Sequence, residues 1–122
     1  MPRSRKLLPL LALFAAAALL MACGSKGVEV AAESDRRGAN LFAERCAGCH
    51  TLNAVGSEGS ASEIHDRERV DGPNFNQRTE KVDQVLYAIR NGGYSGAIMP
   101  ENIVVGQEAE AVAAFLAKYS GR

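Results

Sequence analysis

The stretch "AERCAGCHTL" (residues 43–52) holds two of the three cysteines of this 122-residue chain and one of its two histidines. Three chemistries use the Cys-x-x-Cys spacing: a redox disulfide, a zinc site and a covalently attached haem. Other features of the sequence must therefore decide around which of them the fold is built.

Zinc and redox chemistry both need features that this chain does not offer. A structural zinc site takes four ligands, and beside Cys46 and Cys49 the chain has no second cysteine pair, only His50 and His65. A thioredoxin-like motif begins a helix between strands, whereas this motif ends a helical pattern without flanking strand patterns. Both alternatives stay open here, but neither is favoured.

His50 follows the second cysteine directly, and Cys-x-x-Cys-His is the attachment signature of c-type haem. The two thiols form thioethers to the vinyl groups on one side of the porphyrin, which places the next residue to ligate the iron. The sequence therefore predicts one covalent haem c on Cys46 and Cys49, with His50 as an axial metal ligand.

A second axial ligand is expected, and Met99 is the best candidate. It is the one methionine after residue 22, and it lies in a Gly-rich loop directly before Pro100. A core-filling methionine would instead sit on an apolar helical face. His65 is the alternative ligand, although its charged neighbours are typical of a solvated side chain; an open or water-bound iron is the third possibility.

The N-terminus has the pattern of an export signal. Three basic residues (Arg3, Arg5, Lys6) precede an apolar run over residues 7–22. This run is shorter than the roughly 20 apolar residues that a membrane-spanning helix needs. Its end, "LMAC", resembles the lipobox of bacterial lipoproteins, which implies that residues 1–22 are a signal peptide and that Cys23 is lipidated. An ordinary cleaved signal and an uncleaved helical anchor are the alternatives.

Without residues 1–22 the chain carries 11 basic and 14 acidic residues. This balance gives no indication of nucleic-acid binding or of electrostatic attraction to an anionic membrane. The length predicts one domain. A core of mostly small apolar side chains is marginal at this size, and a cofactor would compensate for it.

The remaining pattern predicts a small all-α domain. Residues 23–34 look like a flexible tether, and the domain spans 35–122. We expect three main helices with long loops: one from Ser34 or Asp35 to the haem motif, one capped by Thr79 and one from near Gly106. Their apolar stripes are Gly38, Phe42 and Cys46; Val82, Val85, Leu86 and Ile89; and Val112, Phe115, Leu116 and Tyr119.

The chain resembles the class I (mitochondrial-type) cytochromes c, of the small bacterial mono-haem kind, over about residues 35–120. The resemblance is carried by Gly38 and Phe42 before "CAGCH", by "GPNF" at residues 72–75, and by "IMP" around Met99. It implies the cytochrome c fold, in which the first and last helices cross near Gly38 and Phe42. It further implies that the Pro73 carbonyl accepts a hydrogen bond from His50.

Two regions are less well defined by this resemblance. The segment of roughly residues 55–70, which includes His65, is longer than in the family's shorter members. Asn74, Arg78 and Tyr94 are candidates for the haem propionates only because they lie near family landmarks.

A His/Met iron is coordinatively saturated and transfers single electrons. We therefore expect an electron carrier rather than an enzyme, exported and tethered by lipid at the outer face of the cytoplasmic membrane or held in the periplasm. Its partners would be respiratory redox proteins, such as a bc-type complex and a terminal oxidase. The alternatives are the haem-bearing subunit of a larger oxidoreductase and a haem-based sensor of small gaseous ligands.

Overall fold

The computed structural model describes residues 27–94 and 98–122, which form three helices and one short hairpin. Helix α1 is Glu33–Arg45, α2 is Val82–Asn91 and α3 is Gly106–Tyr119. Strands β1 (Thr51–Leu52) and β2 (Ser57–Glu58) pair antiparallel, with Thr51 opposite Glu58. Single 3₁₀ turns occupy Asn53–Val55 and Ile64–Asp66. The predicted all-α architecture of three helices with long loops is confirmed.

Helices α1 and α3 cross at Gly38. A Cβ atom on Gly38 would lie 2.5 Å from Cβ of Phe115 and closer still to the carbonyl oxygen of Ala111. Glycine at this position therefore allows the two backbones to approach more closely than any side chain permits. One turn later, the Phe42 ring packs edge-on against Phe115 at 6.1 Å between centroids.

Helix α2 begins later than the sequence suggests. Its N-cap is Lys81, whose backbone N–H donates to Oε1 of Gln84 (3.2 Å), so Thr79 does not cap it. The apolar face predicted for this helix is confirmed at Val85 and Ile89, which are buried. Val82, the first residue of the helix, is 44 % exposed. The helix ends at Gly92, which has φ = +67°.

The core is formed where α3 packs against α1 and α2, and Leu52 of the hairpin contributes to it. Its fully covered side chains include Phe42, Leu52, Val112 and Phe115. Gly106 begins α3 as predicted, and the last helical residue, Tyr119, is half-buried against the same cluster.

The predicted tether differs from the structure where the structure describes it. Val30 is buried at 6 % exposure, and the Glu29 N–H donates to the Ala54 carbonyl (3.0 Å). Helix α1 also begins at Glu33, so neither Ser34 nor Asp35 caps it. The hydrogen bond holds this segment against the 3₁₀ turn, and the apolar Val30 side chain is buried in the core, so residues 29–34 are part of the fold.

The predicted signal peptide (residues 1–22) and Cys23 lie outside the described residues. Within 27–94 and 98–122, no helix is long and apolar enough to cross a membrane.

Candidate functional site

Cys46 and Cys49 lie where α1 ends. Cys46 is the C-cap residue, and its N–H donates to the Phe42 carbonyl (2.8 Å). The His50 N–H in turn donates to the Cys46 carbonyl (3.0 Å), so the five-residue motif folds back on itself as one turn. Cys46 is half-buried and Cys49 is exposed, and both thiols are free.

The position of these thiols does not suit redox catalysis. Burial, and in second place the neighbouring Cys49, raises the pKa of the Cys46 thiol from 9.0 to about 11. A reactive thiolate needs a lowered pKa, typically at the N-terminus of a helix, whereas this motif follows a C-terminus. Among the described residues, no three His, Cys, Asp or Glu side chains are grouped to hold a metal ion, so the zinc alternative finds no ligand set there either.

His50 is buried and held in one orientation. Its Nδ1 lies 3.1 Å from the carbonyl oxygen of Pro73, which is the hydrogen bond that the family resemblance implies. Burial lowers the pKa of His50; the Pro73 bond opposes this shift and the charge of Arg78 adds to it. A neutral ring that donates from Nδ1 keeps the lone pair of Nε2 for a metal, and the carbonyl fixes that tautomer.

Two further residues contact the His50 imidazole, and the sequence analysis assigned neither of them this role. The Phe75 ring stacks on the imidazole, with centroids 4.6 Å apart and planes inclined by 17°. Gly72 lies against the ring so closely that a Cβ there would be 2.5 Å from Nδ1. Both belong to the "GPNF" turn. The sequence analysis assigned a contact with His50 only to Pro73 of this turn, although Gly72 and Phe75 beside it also contact the ring.

Met99 is half-buried on the loop after α2 and packs against the core. The loop can lie this close to the helix end because Gly92 and Gly93 carry no side chains: a Cβ on Gly92 would be 2.9 Å from the Met99 carbonyl oxygen. The Asn102 N–H then donates to the Ile89 carbonyl (2.7 Å) and fixes the loop beyond Met99. No described contact joins Met99 to His50, and ligands on opposite faces of a porphyrin do not touch.

His65, the alternative ligand, is engaged elsewhere. Its Nδ1 lies 3.2 Å from Glu63 Oε2 and its Nε2 3.2 Å from Asp66 Oδ1, and its side chain is 74 % exposed. Both ring nitrogens thus face carboxylates of their own loop rather than the core.

The propionate candidates also have protein partners. The Asn74 Oδ1 accepts from the Asn76 N–H (3.0 Å), and the Tyr94 hydroxyl donates to the Gln84 carbonyl (2.9 Å). The half-exposed Arg78 contacts Oε1 of Glu80, a buried carboxylate that the sequence analysis missed. That oxygen receives no well-aligned hydrogen bond from the described residues. The ion pair with Arg78 is therefore the main interaction that offsets the cost of burying the Glu80 carboxylate.

A family model described as Cytochrome c matches residues 36–120 of this chain. The chain belongs to the cytochrome c family. Its structure is also similar to the crystal structure of the c-type cytochrome SorU from Sinorhizobium meliloti, with 29 % identity and a TM-score of 0.53. This likeness covers 74 % of this chain and 94 % of that one. No curated protein matches the chain.

Membership confirms the class I c-type cytochrome resemblance, the cytochrome c fold and the covalent haem c cofactor, and it makes the chain a haem electron carrier. The residues present fit such a group. Two free thiols precede a buried, neutral imidazole whose Nδ1 is occupied and whose Nε2 makes no hydrogen bond among the described residues. Family membership implies redox partner proteins in general.

Proposed function

We propose that this cytochrome carries single electrons between respiratory complexes at the outer face of the cytoplasmic membrane, to which a lipid on Cys23 tethers it. In this proposal Cys46 and Cys49 hold the haem, and His50 and Met99 are the axial ligands of its iron. A bc-type complex as donor and a terminal oxidase as acceptor would suit such a carrier.

The observation that carries the proposal is the environment of His50. The Pro73 carbonyl, the Phe75 ring and Gly72 each lie against the imidazole, and Nε2 has no hydrogen-bond partner among the described residues. A ligand held so firmly changes little in position between oxidation states, which favours rapid electron transfer. When bound, the haem supplies reversible one-electron chemistry at the iron.

Met99 supports a carrier rather than an enzyme. A thioether in the sixth position leaves no site for a substrate and raises the reduction potential. Its loop lies close to Gly92 and Gly93 at the end of α2, and the hydrogen bond from Asn102 to Ile89 fixes the loop beyond Met99. This fixation would keep the thioether in place against exogenous ligands.

The tether rests on the sequence of the N-terminus. A lipid on Cys23 would confine the protein to the plane of the membrane and raise its effective concentration near membrane-bound partners. Redox encounters are small and transient, so this gain in concentration would compensate for weak binding.

Replacing Met99 tests the proposed ligation. Met99→Ala should keep the covalent haem but lose the long-wavelength band of the ferric iron–sulfur bond, and its potential should fall because methionine ligation raises it. The control is Ile98→Ala, which shortens the exposed side chain next to it. The measurement is a redox-monitored visible spectrum of both variants and the unchanged protein.

The visible spectrum tests the sensor alternative, and an assay of oxidase reduction tests the subunit alternative. If the unchanged ferrous protein binds CO readily and its ferric form lacks the iron–sulfur band, the sensor alternative replaces the carrier. If the isolated protein cannot reduce an oxidase unless a second chain is added, it is a subunit of a larger oxidoreductase.

Replacing Cys23 tests the anchor. Cys23→Ser should move the protein from the membrane fraction to the soluble fraction without any change in its visible spectrum, because the haem-binding residues are untouched. Ser25→Ala is the control and should stay with the membranes. Equal membrane retention of both variants would contradict lipidation at Cys23.

A further inference from the structure

The loop over residues 58–71, here called the acidic loop, carries the whole net charge of the chain after residue 22. It has five carboxylates against two guanidinium groups (Glu58, Glu63, Asp66, Glu68 and Asp71; Arg67 and Arg69). The other residues from Cys23 onward carry nine basic and nine acidic side chains. The acidic loop is therefore a localised negative field on an otherwise balanced surface.

The acidic loop is attached to the haem motif at both of its ends. At one end, the Gly59 N–H donates to the His50 carbonyl (3.4 Å), and Ser60 exchanges hydrogen bonds with Thr51 at 3.0 and 2.9 Å. At the other end, the Gly72 N–H donates to the Cys49 carbonyl (2.6 Å). The acidic loop therefore begins beside His50 and ends beside Cys49.

The tip of the acidic loop presents an apolar side chain to solvent. Ile64 is 95 % exposed, the most exposed large hydrophobic side chain of the described residues. The turn that carries it is ordered by its neighbours, since His65 bridges Glu63 and Asp66, and Ser62 Oγ donates to Asp66 Oδ2 (3.3 Å). Burial of this side chain by a partner would be favourable, because it would remove a large apolar surface from water.

A groove separates Ile64 from the turn that holds His50. Its walls include Ser60, Ile64 and Arg67 from the acidic loop and Pro73, Asn74 and Gln77 from the facing turn. Pro73 thus contributes to the groove while its carbonyl oxygen accepts the hydrogen bond of His50 Nδ1. A partner seated here is separated from the imidazole by one residue and one hydrogen bond.

We propose that the acidic loop is the docking surface for a redox partner whose contact face combines Lys or Arg side chains with an apolar recess that receives Ile64. This inference rests on the proposed function as an electron carrier. The carboxylates would attract and orient the partner at long range, and Ile64 would fix the encounter. One electron would then pass between the haem and the partner on the His50 side of the molecule.

Oxidation of the ferrous holoprotein by two small complexes tests this proposal. Tris(1,10-phenanthroline)cobalt(III) is a cation with an apolar exterior, whereas hexacyanoferrate(III) is an anion; each accepts one electron from the haem. Stopped-flow rate constants are compared for Glu63→Lys/Glu68→Lys and for Glu108→Lys/Glu110→Lys on the exposed side of α3. The two double variants change the net charge equally, so a difference between them reports location.

We expect the cobalt rate at low salt to fall about tenfold for Glu63→Lys/Glu68→Lys and less than about twofold for the α3 control, as local steering predicts. High salt should remove most of the difference. Ile64→Ser should slow the cobalt reaction but not the hexacyanoferrate reaction, whereas Val105→Ser, at an exposed apolar residue outside the acidic loop, should leave both unchanged. Equal effects of the two double variants would overturn the proposal.

Binding is measured independently of electron transfer with hexaamminechromium(III), a paramagnetic cation that does not oxidise the protein. It should broaden the backbone amide resonances of residues 62–69 in the unchanged ferrous protein and not in Glu63→Lys/Glu68→Lys. Broadening spread evenly over the surface would contradict a docking site.

The two proposals fail differently. A protein that neither complex oxidises in a one-electron step, and that binds CO, is not a carrier at all. A protein that both complexes oxidise, with acidic-loop variants that match their controls, is a carrier that docks elsewhere.

Discussion

At the scale of single residues, the "GPNF" turn determines how His50 is held. Gly72, Pro73 and Phe75 each contact the imidazole in a different way: by close approach, by a hydrogen bond and by stacking. The ring therefore cannot move away from one of them without disturbing the other two. This explains why a turn distant in sequence is part of the haem site.

Gly72→Ala should destabilise the holoprotein by about 1–3 kcal/mol, the usual cost of overpacking a tight site. The new methyl group would lie 2.5 Å from Nδ1 of His50, and a ring fixed by Pro73 and Phe75 cannot yield. Denaturant unfolding measures the effect. Gly27→Ala is the control, since nothing lies within 4 Å of a Cβ there. Equal midpoints for the two variants would show that the ring has room to move.

Glu80 is a residue-scale feature without a sequence signal. Its side chain is 5 % exposed, and the ion pair with the half-exposed Arg78 is the main interaction that offsets the cost of burying its charge. Burial is the main cause of the lowered pKa of His50, and the charge of Arg78 lowers that pKa further. The pair thus connects a buried carboxylate to the electrostatics of the haem site.

At the scale of elements, the α1–α3 crossing supports the haem motif. Gly38 sets the distance between the helices, and Phe42, one turn later, contacts Phe115 and His50. Cys46 follows one further turn along the same face. The packing of one helix pair therefore positions both the thiol and the imidazole.

Gly38→Ala should destabilise the protein although alanine is the better helix former. The propensity gain is about 1 kcal/mol, but a Cβ at this position would clash with the Ala111 carbonyl and with Phe115, at a cost of about 1–3 kcal/mol or more. The exposed Asn40→Ala on the same helix isolates the propensity term and should stabilise slightly. Thermal unfolding of both variants checks the signs. A stabilised Gly38→Ala would mean that the helices can separate without loss.

At the scale of the whole molecule, Asp35 joins the start of α1 to the end of α3. Its Oδ2 accepts hydrogen bonds from Lys118 Nζ (2.5 Å) and from the Tyr119 hydroxyl (3.0 Å). The Lys118 bond, the largest cause, lowers the pKa of Asp35, and the Tyr119 bond adds to it against the opposing effect of burial. These contacts join residues more than 80 positions apart and hold the first helix against the last.

The stability contribution of Asp35 should depend on pH. Because its pKa is lower in the folded chain than in the unfolded one, the contribution is fully present above the unfolded value near 3.8 and is lost as the pH falls through the folded value. Unfolding midpoints should therefore separate Asp35→Asn from the unchanged protein at neutral pH and converge in acid. Asp83→Asn, an exposed carboxylate in the first turn of α2, is the control. A constant difference across this range would exclude the ionised Asp35 as the cause.

The cofactor and the three helices could be predicted from the sequence alone, which also predicts Cys46, Cys49, His50 and Met99 as the residues of the site. Cys-x-x-Cys-His has a local geometry of its own, since one turn at the end of a helix brings both cysteines and the histidine together, whereas the orientation of the imidazole depends on the turn at residues 72–75. Helical periodicity likewise predicted α3 and the buried face of α2. The family resemblance also implied that the first and last helices cross near Gly38, and the structure shows this close approach.

The other features are visible only in the folded chain, because they depend on residues that are far apart in the sequence. The stacking of Phe75 on His50 requires the turn at residues 72–75 to fold back onto the haem motif. Val30 is buried in a core formed by residues distant in sequence, next to the hydrogen bond from Glu29 to Ala54, and Glu80 lies against Ser120 at the end of α3. The position of the acidic loop is likewise tertiary: its composition shows the charge, but only its bonds to Cys49 and His50 place that charge beside the haem site.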